Sequence, residues 1–455
     1  MPINFDVDQI EPMNDNATST ISTARHFPKI RGGKAVPTWM EEHTDRNMHA
    51  LGPSPELLSE WEAARLALPD LPAIRRYRLE RVREQLRGAN CDGILLHDPL
   101  NIRYATDTTN MSIWTMHNAV RYAFVATDGP VIVFEFSDAE FLSAHSEVVD
   151  EIRPSTSLHP FYTGNRLDEV CKRWADEIVT LLNEHGRGSR RLAIDMLSLD
   201  GIRALEKQGV DLVSGQVLME DARLVKSEDE IQAMRCAVHA CERNIDDMQA
   251  IFEPGITEVA LWARLQESNF RRFGEWIETR LLASGNRTNP WYQEASRKVV
   301  EAGELMAFDT DLIGPYGMCV DMSRTWLCGD GRPTQAQADI FALAHETIER
   351  NIGLYKSGAS LKEITEKLWY PSVDEYNGYT VMAHGAGLCD EYPSIFTREK
   401  WGSVGFDDVI HAGYVICVEA FVGCRDGGEG VKLEQQVVVR DSGPELLTHY
   451  PMELT

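Results

Sequence analysis

The chain has 455 residues with a formal net charge of −26, from 45 Lys and Arg against 71 Asp and Glu. That length exceeds what one hydrophobic core usually fills and predicts two domains. The acidic balance argues against a nucleic-acid ligand, which rewards clustered Lys and Arg; it is compatible with a cationic substrate or with simple solubility.

The first residues, "MPINFDVDQIEP", have neither a basic start nor an apolar centre, so no signal peptide is expected. No apolar run is long enough for a membrane span. Residues 1–70 read as an extended arm, punctuated by Pro28, Gly32, Gly33 and Pro37. Phe27, Trp39 and Met40 in that arm need a surface to cover, and the partner subunit of a homodimer is a candidate. Residues 71–220 read as an α/β unit. Leu79, Val82 and Leu86 are spaced for a helix that Gly88 stops. "DGILLHD" and "RRLAIDM" read as strands, and "YAFVATDGPVIVFEF" as a hairpin turning at Asp128-Gly129.

A long helix opens the second domain, residues 221–455. Ser227 and Glu230 form a capping box. Ile231, Met234, Val238, Cys241, Ile245 and Met248 make one apolar stripe. Pro254-Gly255 ends that helix, and Thr257 is placed to cap the next one. The nine cysteines are odd in number and contain no CxxC pair. Reduced thiols in a cytoplasm are therefore expected.

Four fragments of the second domain carry acids or a histidine inside apolar surroundings. "LMAFDTDLIGPYGMCVDMSRTW" holds Asp309 and Asp311 two apart, so on a strand they share a face. A hairpin would return Asp321 to them. "TVMAHGAGLCDEYP" holds His384, "YVICVEAFVG" holds Glu419, and "GVKLEQQVVVR" holds Glu434. Each fragment alone also fits a surface hairpin or a structural histidine. Together they place five acids and one imidazole on apolar strands of one domain, with Lys and Arg sparse nearby. Unpaired buried acids are costly. Two metal ions such as Fe, Mn or Zn would supply the countercharge for such an oxygen-rich set.

The order of these fragments resembles the pita-bread metallopeptidase superfamily of methionine aminopeptidases, prolidases, aminopeptidase P and creatinase. "CDGILLHDPLNIRYATD" and "ARLVKSEDEIQAMRCA" are similar to its N-terminal domain and its linker. The resemblance implies a two-domain α+β or α/β protein, with a creatinase-like N-terminal domain and a pita-bread catalytic domain, usually a homodimer. It also implies metal ligands at Asp309 or Asp311, Asp321, His384, Glu419 and Glu434. Two departures stand out. Both Asp309 and Asp311 precede Asp321, which implies a sixth ligand. The peptidase histidines are absent: "SGNRTNPWYQ" offers Trp291 and Tyr292, and "HGAGLCDEYP" offers Asp390.

Those departures resemble the dimethylsulfoniopropionate (DMSP) lyase branch of the superfamily, found in marine bacteria. That resemblance implies a binuclear site of iron, with Zn or Mn as alternatives, on Asp309, Asp311, Asp321, His384, Glu419 and Glu434. It implies Asp390 as base, Tyr379 as an active-site residue and a small zwitterionic substrate. Trp291, Tyr292 and Tyr376 are candidates for the sulfonium end, although core packing also accounts for such aromatics. A metal-dependent Xaa-Pro peptidase and a non-enzymatic binding module remain as alternatives.

Overall fold

The structure, a computed structural model, describes Ile30 and residues 53–454. The covering role expected of Phe27, Trp39 and Met40 lies outside the described residues. The stretch expected to be extended does not stay so as far as residue 70. Pro55–Ala63 forms helix α1, begun by Ser54, whose hydroxyl accepts from the Leu57 N–H at 3.1 Å. Leu57 and Trp61 lie four apart and are both fully buried. The Trp61 indole donates to the Cys236 carbonyl at 3.1 Å and stacks on Tyr316 at 5.7 Å. The short apolar face of α1 thus finds its surface on the second domain.

The first domain follows as α2 (Leu71–Gly88), β1 (Gly93–Leu96), α3 (Pro99–Thr106), β2 (Tyr122–Ala126), β3 (Val131–Glu135), β4 (Glu151–Pro154), α4 (Leu167–His185), β5 (Arg191–Ile194) and β6 (Asp211–Ser214). Its sheet runs β4-β3-β2-β1-β5-β6. The β1–β2 and β2–β3 pairs are antiparallel and the others parallel. Alternate residues serve opposite faces of the sheet. Ile94, Leu96, Ala123 and Val125 join the core with α2, while Leu95, Tyr122, Phe124 and Ala126 join Trp174 and Ile178 of α4.

Helix α5 (Gly215–Arg223) leads into α6 (Glu228–Gln249), where both halves of the capping box are made and the whole apolar stripe is buried. Thr257 caps α7 (Glu258–Arg271). Then come β7 (Trp276–Ile277), β8 (Leu282–Ser284), β9 (Leu305–Asp309), β10 (Leu312–Ile313), β11 (Cys319–Val320), β12 (Ser323–Leu327), α8 (Gln335–Ile352), β13 (Tyr376–Gly378), β14 (Val381–Ala386), β15 (Asp390–Phe396), β16 (Val415–Cys424), β17 (Gly430–Val438) and β18 (Glu445–Leu446). They form sheets β11-β10-β7, β12-β9-β8 and β15-β14-β16-β17-β18, with β13 also on β16. Side chains sew β12 to β17. The Thr325 hydroxyl donates to the Lys432 carbonyl at 2.9 Å and accepts from the Lys432 N–H at 3.0 Å. Arg324 donates to the Glu434 carbonyl at 2.7 Å. Three sheets therefore meet around one point.

Candidate metal centre

Strand register brings the acids to that point. Glu419 of β16 is paired directly with Glu434 of β17. Asp309, the last residue of β9, is paired with Ser323 of β12, and His384 of β14 with Cys417 of β16. Asp311 reaches the same place by a turn, not by strand alternation. The chain leaves β9 at Asp309, and Asp311 has φ 35°, a left-handed conformation that Asp tolerates better than most residues. The Thr279 hydroxyl donates to Asp311 at 2.6 Å. Asp309, Asp311 and Asp321 each offer an oxygen within 4.8 Å of one another, and Asp321, His384, Cys417 and Glu434 form a second such group. Asp321 is shared by the two. His384 Nε2 lies 3.4 Å from Asp321, 3.5 Å from Glu434 and 3.9 Å from Glu419.

The electrostatics follow from crowding. Burial, followed by the charge of Asp309, pushes the Asp311 carboxyl well above the usual range; burial and Glu434 do the same to Asp321. Burial raises Glu419 to about 8. At Glu434 burial opposes ionisation, but Lys432 and His384 outweigh it and hold the carboxyl well below its ordinary range. Lys432 is fully buried among these groups and was not expected there. Its position two residues before Glu434 on one strand was the available signal.

The donor set fits a metal. Glu419 Oε1 and Glu434 Oε1 are buried with no hydrogen-bond partner. Orphaned buried oxygens are destabilising unless something positive meets them. Carboxylate oxygens with one imidazole suit hard or borderline divalent cations. Asp309, Asp311, Asp321, His384, Glu419 and Glu434 are the residues that could hold them.

Comparison with known proteins identifies the family. Residues 232–441 match the model of metallopeptidase family M24, and residues 78–225 that of the creatinase/prolidase N-terminal domain. The dimethylsulfoniopropionate lyase DddP of Roseovarius nubinhibens is 41% identical over 90% of this chain and 93% of its own. The DddP of Roseobacter denitrificans is 41% identical over 94% of this chain and 98% of its own. The chain belongs to the DddP family. Among solved structures, the Xaa-Pro dipeptidase from Bacillus anthracis superposes with a TM-score of 0.66 at 22% identity, covering 83% of this chain and 98% of its own. The prolidase from Pyrococcus horikoshii gives 0.66 at 20%, covering 83% and 99%. These likenesses carry the fold, a creatinase-type N-terminal domain before a pita-bread domain, as the sequence resemblance implies.

In this DddP-family chain Asp309, Asp311, Asp321, His384 and Glu419 line a cavity of about 800 Å³. Asp390, at the start of β15, stands in its wall with the side chain 51% exposed, 3.7 Å from His384 Nδ1. Burial in the cavity wall raises its carboxyl above the ordinary range; Glu434 adds to this, while His384 and Lys432 oppose it. Tyr379 and Tyr292 also line the cavity, their rings 5.4 Å apart. Trp291 does not line it. That ring is buried and stacks on Phe421 at 6.0 Å. Tyr376 lines a neighbouring cavity of about 240 Å³, which shares only its Tyr379 wall with the first. Glu278 also lines the acid cavity, and no feature of the sequence marked it.

Proposed function

We propose that the protein is a metal-dependent lyase that splits DMSP into dimethyl sulfide and acrylate, with Asp390 as the base. The 41% identity to two DMSP lyases over nine-tenths of the chain or more carries this reading. Metal ions held by the six ligands would attract the substrate carboxylate and stabilise the charge that develops beside it. We take two ions as the complement, with iron the expected metal, and a homodimer in the cytoplasm as the working form.

Asp390 has the freedom a base needs. It is half exposed and is not one of the six ligands. Its carboxylate takes a proton from the carbon next to the substrate carboxylate. The C–H electron pair becomes the new C=C bond, and the C–S pair leaves on sulfur as neutral dimethyl sulfide. The products are acrylate and protonated Asp390, which returns its proton to solvent. A carboxyl raised above the ordinary range is a stronger base than a free aspartate. The sulfonium end would meet Glu278 and the ring faces of Tyr292 and Tyr379, which line the cavity; Glu220 and Glu294 line it too but are paired with Arg223 and Arg280.

Headspace gas chromatography of the metal-loaded protein with DMSP tests the reading. Dimethyl sulfide should appear, and Asp390→Ala should abolish it while metal content stays at the wild-type level. Near-full activity in that variant removes Asp390 as base. Turnover of Xaa-Pro dipeptides with none of DMSP would replace the lyase by a peptidase.

A further inference from the structure

Nine carboxylates line the cavity of about 800 Å³, and eight of them are accounted for. Asp309, Asp311, Asp321 and Glu419 belong to the ligand set. Glu220 is paired with Arg223 at 2.5 Å, Glu294 with Arg280 at 2.7 Å and Glu391 with Lys226 at 2.8 Å. Asp390 lies against His384. Glu278 remains. It is exposed to the cavity, and no Lys, Arg or His among the described residues comes within ion-pair distance of it. Its backbone is fixed, since it follows β7 directly and its N–H donates to the Asp311 carbonyl at 3.0 Å. The next residue, Thr279, holds the Asp311 carboxylate through its hydroxyl at 2.6 Å. Asp390 is near enough that its charge, after burial, raises the Glu278 carboxyl above the ordinary range. Two like charges thus face one space beside the rings of Tyr292 and Tyr379.

We propose that Glu278 is the specificity-determining residue of this cavity: its unpaired carboxylate selects zwitterions that carry a compact onium centre two carbons from their own carboxylate. This rests on the reading in which metal ions take the substrate carboxylate. With that end held by the ligand cluster, the cationic end is left to the wall that Glu278, Tyr292 and Tyr379 supply. Opposite charges attract more strongly in a partly enclosed cavity than in water, and ring faces accept the methyl groups of an onium. Asp390 is not the selecting charge, because it becomes neutral on taking the proton, whereas Glu278 stays ionised through the step. As the C–S bond breaks, the sulfonium becomes a neutral sulfide and no longer feels that attraction. The group that selects the substrate therefore does not retain the product. Such a contact is strongest before the bond breaks, so it acts on substrate binding more than on the chemical step.

The test is calorimetry on the full-length, Mn2+-loaded protein with two probes of one shape, 3-(trimethylammonio)propionate and 4,4-dimethylpentanoate. They differ only in a cationic nitrogen where the second has a carbon. The wild type should bind the onium probe about tenfold more tightly than the neutral one. Glu278→Gln should erase that preference by weakening the onium probe alone, and Glu278→Asp, which keeps the charge, should retain part of it. A wild type indifferent to the charge, or a Glu278→Gln that loses both probes equally or neither, overturns the proposal. With DMSP, Glu278→Gln should raise KM about tenfold and lower kcat by less; a loss confined to kcat overturns the proposal equally. The wild-type comparison needs no variant to fold, and the calorimetry needs no turnover. A wild type that prefers the onium probe but releases no dimethyl sulfide sinks the lyase reading alone. One that cleaves DMSP without that preference sinks the role of Glu278 alone.

Discussion

Asp390 and Lys432 contrast at the level of single side chains. One is half exposed in the cavity wall; the other is enclosed and fixed by four polar contacts. General-base catalysis contributes about 10²–10⁴ in rate, so Asp390→Asn should lower kcat by that order while the metal-binding isotherm stays unchanged. The acids and the histidine were legible because each interrupts an apolar run, where an unpaired charge is too expensive to be idle. Lys432 interrupts its run in the same way, but a lysine beside glutamates reads as ordinary surface charge until the strand is known to be buried on both faces. Trp291 and Tyr292 show the opposite limit. Tyr292 has φ 76°, so the chain turns there and sends one ring into the core and the other to the cavity. Spacing alone does not say which.

Elements differ in how openly the sequence displays them. The start and buried face of helix α6 were legible, since its cap and its stripe are local signals, and both are present in the fold; its end was not, for the helix stops at Gln249, ahead of Pro254-Gly255. Strands β16 and β17 are buried throughout all but one residue, so they show no alternation, and the pairing of Glu419 with Glu434 is a register that only the folded sheet defines. Helix α1 was hidden by its surroundings, a short amphipathic segment behind a stretch rich in Gly and Pro. Its anchor is testable. Trp61→Ala removes a fully buried ring and its hydrogen bond to Cys236 and should cost about 3–5 kcal/mol, read as a lower urea midpoint. At the end of β1, His97 is buried against the rings of Tyr122 and Trp174. Burial lowers its pKa from 6.5 to about 4. Between those values the unfolded chain binds a proton that the native state refuses, so stability falls as pH drops through that window. His97→Phe should flatten that part of the stability–pH curve, measured as the difference from wild type; an unchanged slope would mean that His97 is not neutral in the fold.

The two domains are joined by ion pairs that end beside Asp390. Arg78 of α2 meets Glu230 of the α6 capping box at 2.6 Å, and Arg103 of α3 meets Glu275 at 2.5 Å. Arg223 of α5 bonds Asn101 of α3 and lies 3.2 Å from Glu391, the residue after Asp390. Lys226 holds the other oxygen of Glu391 at 2.8 Å. Gly387 leaves the room for this, since a Cβ there would come within 2.4 Å of the Glu391 carboxylate. The position of Asp390 in the cavity wall therefore depends on the joint between the domains. Glu391→Gln leaves Lys226 buried without its countercharge, while Arg223 keeps Glu220, and should cost about 3–5 kcal/mol. Burial opposes ionisation of Glu391, but Lys226 and Arg223 outweigh it and hold its carboxyl below the ordinary 4.5. Its contribution is thus present above pH 4.5 and is lost as pH falls through the lower, folded value. The stability gap between wild type and Glu391→Gln should be widest near neutral pH and close on acidification. If Asp390 acts as the proposed base, its displacement should lower kcat for DMSP further than metal affinity. Equal losses in both would mean that the joint supports the metal centre as a whole, and not the base in particular.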